Sequence, residues 1–558
     1  MTTPNTELIA HWPLTDGFHD VNGTIKDTIR HNVTFAPSPS DPLRQVAHFN
    51  GHNSFLEVPT QPALDWGSDN FSISVWIETD GQTDIVGDLL SHYDSATRCG
   101  WSLNVVTNSG VTSTTQPNYR HLQFGMDNGG VPDAWQDCGR PGNAAFIYSM
   151  AVAGGTLYAG TFEREANQAG HLWRYEGNGQ WHDCGATPDG SNAVPTIAFY
   201  DGALYCGTGR YNPVGSRLGP PKNTAPGGHV YRIEDDGRWI DCGIPGGEDA
   251  VPESTPTSGY ETGKADEVIG LTVFQGHLYA TSFHRRGVYV YEGGTSWKSV
   301  GLNERLMSFA VYRDRLYALL NGGPVYRYEG GEEWTFCGRP GGQDQIYGAV
   351  THKGELLVGT WPDCLVMRYD GGENWTDLGR AGYEMEVMAM ALYNAKVYFG
   401  TLPMGNVWRL DDNGYEYIAN IDNSPEVFLR RVWSMAVYQG KLFAGTLPSG
   451  HILSFESGRM ATHDTTLTPG WHHIAAVRED KYLKLYLDGN LVAKSSSFNA
   501  EDFNMSNDTP LKIGFGSHEY FKGKMSDLRI YNRALSAEEV SLFADAGLPF
   551  PAVETAAA

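Results

Sequence analysis

The stretch LYAGTFEREANQAGHLWRYEGNGQWHDCG, residues 157–185, sets the fold of this chain. It runs from an alternating apolar segment through a Gly-Thr stop into a loop. A second apolar segment, an acidic-Gly turn and a Trp segment closed by Gly follow. Alternation over four to eight residues marks half-buried strands, and Gly supplies the positive φ that tight hairpins require. The opening phrase recurs as LYAGT (157–161), LYCGT (204–208), LYATS (278–282), LYALL (316–320), LLVGT (356–360), VYFGT (397–401) and LFAGT (442–446). These seven copies end 47, 74, 38, 40, 41 and 45 residues apart.

A repeat of about 40–45 residues holding four short strands is the pattern of a β-propeller blade. The spacing predicts a seven-bladed propeller over residues 131–460, with strands A to D in each blade and a long insertion in and after the second copy. After the seventh copy, strand C reads HILSFESG (451–458) and no Trp strand follows it. The missing partner is DAWQDCG (133–139), ahead of the first copy. The ring therefore closes by pairing its first strand with its last three, which leaves no free edge. Both ends of the propeller then leave from one blade, as an insertion into a host loop requires. The C-to-D turns YEGNGQW, YEGGTSW, YEGGEEW and YDGGENW resemble the Asp-box of sialidase-type propellers. They lack its leading Ser/Thr, and seven copies depart from that family's six, so a sialidase is set aside.

The chain has 558 residues, 41% of them hydrophobic, 12% aromatic and 19% charged, enough for two or three cored domains of an all-β protein. A formal charge of -25 and a pI near 5.1 repel phosphate backbones and anionic lipid, which argues against nucleic acid and membrane partners. The start, MTTPNTELIAHWPLTDG, has no basic segment followed by an apolar one, so the sequence as written reads as cytoplasmic while the compartment of the protein stays open. Cys138, Cys184, Cys242 and Cys337 all fall in W-x-x-C-G, and other copies carry Val300 or Leu378 there. That exchange marks a small buried apolar position and not a disulfide or metal ligand.

Flanking the repeats are LIAHWPLTDG (8–17), VAHFNGHNSFLEVP (46–59), NFSISVWIETD (70–80), GWSLNVV (100–106) and LQFGMD (122–127). On the far side stand GWHHIAAVRED (470–480), YLKLYLDGNLVA (482–493) and LKIGFGSHEYFKGKMSDLRIYNRALSAEEV (511–540). Together they resemble the two halves of a laminin-G-like jelly roll of the concanavalin-A type, at residues 7–128 and 463–547, with 548–558 as a tail. Phe71, Ile73, Val75 and Ile77 alternate as one face of a sandwich core does. The resemblance implies glycan binding or protein adhesion, often with a structural calcium and with no organic cofactor. Asp20, Asn22 and Asp527 match the family's acidic loop and C-terminal Asp, and are the expected calcium ligands.

In a propeller the B-to-C and D-to-A loops converge on one mouth, where ligands meet them. The residues there that suit a sugar are Arg210, Tyr211, His284, Arg285, Trp361 and Arg430: rings stack on aromatics, and Arg grips a uronate or sulfate. Glu163, Tyr211, His284 and Asp363 are the acid, base and proton-carrier candidates for glycoside hydrolysis or for a lyase step. Arg305, Gln343, Gln345, Tyr383, Glu384, Glu386 and Arg431 occupy the D-to-A side of the same mouth. His171, His229 and His451 start strand C in neighbouring blades, but strand C lies roughly 10 Å farther out than strand A, too far to share a metal. They are expected to cap turns. The expected function is carbohydrate binding, with an oligosaccharide or polysaccharide as partner. The alternatives are a polysaccharide-active hydrolase or lyase, and a protein-interaction scaffold.

Overall fold

The computed structural model describes residues 7–38, 45–216, 218–220, 222–247, 266–425 and 427–547. The expected tail and the core of the insertion, residues 248–265, lie outside them. The chain is all-β: a ring of four-stranded meanders and a two-sheet sandwich.

One sandwich sheet runs Thr34–Pro37, Gln45–Asn50, Lys522–Tyr531, Phe71–Thr79, Gly470–Glu479, Tyr482–Leu487, Asn490–Lys494, with Leu8–Trp12 also paired to Lys522–Tyr531. The other runs Ile29–His31, Phe55–Val58, Leu511–Ile513, Gly87–Asp94, Cys99–Asn108, Asn118–Asn128, Arg459–Thr466. Each sheet interleaves strands from before and after the ring, so neither flank builds a core alone. Phe71, Ile73, Val75 and Ile77 are fully buried between the sheets with Trp12 and Trp101. The strand Arg459–Thr466 runs across the expected boundary at 460–463 and pairs with Asn118–Asn128. The ring thus fills the connection between two neighbouring sandwich strands. The closing helix Ala537–Asp545 is capped by Ser536 and Glu539 as a capping box.

Each of the seven repeats forms a four-stranded meander, but seven repeats do not make seven separate sheets. Five four-stranded sheets stand alone. The first two repeats fuse into one eight-stranded sheet, because Phe162 at the end of strand B in the first pairs with Ala193 at the start of strand A in the second. Ring closure follows the sequence pattern: Gln136 and Asp137 pair with Ser454 and Leu453. Between repeats, the strand-D indole donates to a carbonyl of the preceding strand D: Trp181 to Cys138, Trp239 to Cys184, Trp297 to Cys242, Trp334 to Val300 and Trp375 to Cys337, at 2.7–3.1 Å. In the sixth repeat a tyrosine takes over, Tyr415 donating to Gly379. All seven cysteines are free thiols.

The sandwich sits on the face of the A-to-B turns. Lys353 and Gly354 donate their amides to Ser517 and His518, and Gln439 and Gln275 donate theirs to Asp464 and Asp84. Lys522 meets Asp314 at 2.7 Å, and Lys396 pairs with Asp127 in full burial. From this side the connection between Cys99–Asn108 and Asn118–Asn128 enters the ring's axis and is buried throughout. It hydrogen-bonds to strand A of every repeat. Pro117 accepts from Val152, Ser113 from Thr196, Ser109 from Val311 and Gly110 from Ala349; Asn108, Gln116 and Asn118 use their side-chain amides on Leu392, Val273 and Val437. The run TNSGVTSTTQPN (107–118) has the polarity of an exposed turn, and buried polar groups are tolerated only when partnered. Here the partners are strand-A groups that, as the innermost strand of each meander, have no neighbouring strand on the axis side.

Candidate functional site

With one end of the axis occupied, the B-to-C and D-to-A loops gather at the other. Strand A of each repeat enters there with the same local pattern. One ring of equivalent positions, each just before a small or hydroxyl residue, holds Tyr148, Pro195, Ile269, Met307, Tyr347, Met388 and Trp433. Six of these form one buried cluster, joined by Phe146, Phe162, Leu402 and Leu447. Tyr148 and Trp433 meet edge to face at 5.5 Å, as do Tyr347 and Trp433 at 5.8 Å. Two residues earlier in the sequence of each repeat, at or just before the start of strand A, stands a second ring: Phe146, Ala193, Glu267, Arg305, Gln345, Glu386 and Arg431. Five of its seven members are polar, directly above an apolar floor.

Burial shapes the chemistry of this second ring. Desolvation pushes the carboxyls of Glu267 and Glu386 up to about 7, against weaker opposing effects from Tyr148 for the first and from Arg431 and Tyr347 for the second. One oxygen of each, Oε1, has no hydrogen-bond partner among the described residues. Tyr211 packs against Phe162, Tyr148 and Phe146 at 5.0–5.5 Å, and burial raises its hydroxyl's pKa. Its hydroxyl bonds Ser216 at 2.9 Å, and Arg431 donates to both, at 3.3 Å to Tyr211 and 2.6 Å to Ser216. The second-repeat loop therefore reaches across the mouth to the seventh repeat. Half-buried Trp361 joins the same cluster from strand B of the fifth. At the rim, Tyr383 is 98% exposed, Phe428 58% and Met404 44%.

The other sequence candidates are spread around this centre. Glu163 is buried beside His171 and Arg140 on the outer side of the first repeat, and desolvation pushes it up to about 7. Asp363 is exposed and locked to Gln343 by two hydrogen bonds of 3.0 and 3.1 Å. His284 is buried, its amide donating to Asp266 at 2.8 Å. Arg285 is committed to the same Asp266, at 2.6 Å with both side chains nearly inaccessible. The Arg210 amide donates to the Asp266 carbonyl, and Arg430 lies beside Met404 at the rim. Glu384 accepts from Asn406 at the rim, so it points away from its sequence neighbour Glu386. Of the candidates, Tyr211, Trp361, Glu386 and Arg431 come together. Tyr148, Ser216, Glu267, Tyr347 and Trp433 belong with them and are absent from the sequence candidates, although aligning the strand-A starts places all but Ser216 in the two rings.

His171, His229 and His451 each pair with the strand-D aspartate of their own meander: Asp183, Asp241 and Asp137, at 2.9–3.2 Å. The last pair spans the ring closure. Among the described residues, no three His, Cys, Asp or Glu side chains stand close enough to hold a metal. The expected calcium ligands do not fit a hard cation. Asp20 accepts from the amides of His11, Asn22 and Ile25, and Asn22 turns its amide nitrogen to the carbonyls of Leu8 and Ile9. Asp527 faces two basic groups, His11 at 2.7 Å and Arg529 at 2.9 Å. These contacts use the oxygens to organise a turn and to bind cationic side chains.

Residues 434–541 match the family model described as the concanavalin A-like lectin/glucanases superfamily, a stretch that begins within the last meander and takes in most of the second half of the sandwich. No curated protein matches the chain. Among solved structures, it is similar to a catalytically inactive virginiamycin B lyase from Staphylococcus aureus with quinupristin, at 12% identity and a TM-score of 0.42, covering 58% of this chain and 99% of that one. YCF48 from Cyanidioschyzon merolae is similar at 11% identity and a TM-score of 0.39, over 58% of this chain and 99% of its own. So is the WD40 β-propeller domain of Doa1, at 11% and 0.37, over 58% and 97%. At these values the likeness transfers no function.

Proposed function

We propose that this protein binds carbohydrate, with the mouth of the ring as its principal site. One observation carries the reading: the mouth grades from an apolar aromatic floor through a ring of carboxyl, amide and guanidinium groups to exposed aromatic and apolar side chains at the rim. A sugar ring has apolar faces and a girdle of hydroxyls, and this layering offers a stacking surface beside hydrogen-bonding groups of both senses. The match of the sandwich's second half to the concanavalin A-like superfamily supports the same class of ligand. A polysaccharide array, probed with the full chain with calcium and with chelator, tests this. Retention on at least one glycan is expected, weakened about twofold to tenfold by Tyr383→Ala, as loss of ~0.5–1.5 kcal/mol of stacking implies. Retention unchanged by that substitution and by Phe428→Ala places binding away from the mouth.

A second reading, a glycan-active enzyme, is favoured by the two enclosed carboxyls at Glu267 and Glu386. A carboxyl held half-protonated near neutrality suits proton transfer at a glycosidic oxygen or a sugar carbon. Mass spectrometry of the retained glycan separates the two. Fragments that vanish with Glu386→Gln establish the enzyme, and an intact glycan establishes binding alone.

A further inference from the structure

The unusual member of the polar ring is Arg431. Its Nη1 donates to two neutral hydroxyls, Tyr211 and Ser216, and its guanidinium carbon lies 5.8 Å from the centroid of the Trp433 ring. Its Nε is enclosed and without a hydrogen-bond partner among the described residues. No carboxylate lies within 4.0 Å of it among them. Arg285 is clamped on Asp266 and Arg409 holds Asp411 and Glu416, whereas Arg120 and Arg478, buried with the sandwich, rest on neutral oxygens as Arg431 does; Arg431 differs from those two in standing at the mouth. Glu386 is the carboxyl that Arg431 senses, from beyond ion-pair distance, and burial keeps about half of it neutral near pH 7. Burial works against the Arg431 charge, but Tyr211 and the more distant Glu386 more than offset it, so the fork stays charged and able to take an incoming anion. Two fixed hydroxyls and an indole face hold the fork in place before the ligand arrives.

We propose that Arg431 is an oxyanion subsite, so that the carbohydrate taken by the mouth is acidic and carries a carboxylate or sulfate on the sugar that enters deepest. This rests on the carbohydrate reading above. A ring stacked against Tyr211 or Trp361 would present such a substituent to the free edge of the guanidinium, with whichever of the Tyr211 and Ser216 hydroxyls is not donating to the other available as one added donor.

The test uses the full chain and three oligosaccharides of matched length: a neutral glucan, an oligouronate and a sulfated galactan. Binding is followed by calorimetry. Arg431 predicts that one acidic oligomer binds at least about tenfold more tightly than the neutral one, with uronate against sulfate deciding which anion is meant. Arg431→Gln erases that preference, and Arg431→Lys retains part of it. Should both variants misfold, the wild type still decides: affinity for the acidic oligomer falls with added salt while any affinity for the neutral one does not. A neutral oligomer that binds as well as the acidic ones overturns the subsite and leaves carbohydrate binding standing. Failure to bind any of the three, or any glycan on the array, overturns the carbohydrate reading itself.

Discussion

Gly110, at the tip of the hairpin that fills the axis, offers a sharp test of how closely sandwich and ring are fitted. Its φ is +92°, and a Cβ added there would stand 2.6 Å from the Cβ of Ala349 and 3.1 Å from that residue's Cα and carbonyl oxygen. None of these atoms belongs to a flexible side-chain end, so either the hairpin or strand A of the fifth repeat must shift. Gly110→Ala therefore meets two penalties: about 1–2 kcal/mol for an L-residue in the left-handed region, and about 1–3 kcal/mol for overpacking a filled site. Gly293 isolates the first, because its φ is +100° and a Cβ added to it would meet nothing within 4 Å. Guanidinium unfolding followed by tryptophan fluorescence is the assay. Gly293→Ala is expected to lose about 1–2 kcal/mol and Gly110→Ala about 2–5 kcal/mol. Equal losses would show that the hairpin tip is loosely seated and that its hydrogen bonds to all seven repeats do not fix its position.

Arg285→Met leaves the buried carboxylate of Asp266 without its nearest cation and is expected to cost about 3–5 kcal/mol, read as a lower unfolding midpoint; loss of glycan binding at unchanged stability would instead make Arg285 a ligand contact. For Glu386, whose carboxyl moves from 4.5 to about 7, the folded state holds the proton more tightly than the unfolded one. Stability linked to this group is therefore greatest below about pH 4.5, declines as pH rises to about 7 and is level above. Glu386→Gln should remove up to roughly 3 kcal/mol of that decline, seen as a flatter midpoint-against-pH curve between those values. Trp181→Phe strips the donor from the Cys138 carbonyl across the ring closure and should cost about 1 kcal/mol. Asp137→Asn, at the exposed pair with His451, should cost under ~1 kcal/mol, and the contrast is readable in the same unfolding assay.

What is legible in the chain is what repeats or alternates locally. Strand periodicity, the acidic-Gly turns and the displaced strand 133–139 are written in short windows, and the paired strands follow them. The fusion of the first two repeats is not legible, since it depends on one backbone pair, Phe162 with Ala193, formed by how two meanders abut. The axial hairpin misleads for a physical reason: Ser, Thr, Asn and Gln suit an exposed turn and an unpaired strand edge equally well. At the mouth, charged loop residues stand out in the sequence, while Tyr148, Tyr347 and Trp433 lie inside strands whose apolar pattern also suits an ordinary core. The Tyr211 contact to Arg431 joins positions 220 apart in sequence, which no local pattern announces.

The hairpin that bonds to every strand A also decides how traffic can move through the ring. With Asn108 to Asn118 seated in the axis, the ring is closed from the sandwich side. A polymer cannot thread it. A long chain can only lower a terminus or a side branch into the mouth, and whatever enters must back out by the same route. Under the proposed carbohydrate reading, recognition at its base would select for ends and branches over the interior of a linear chain, with added contact beyond the rim at the exposed Tyr383, Met404 and Phe428.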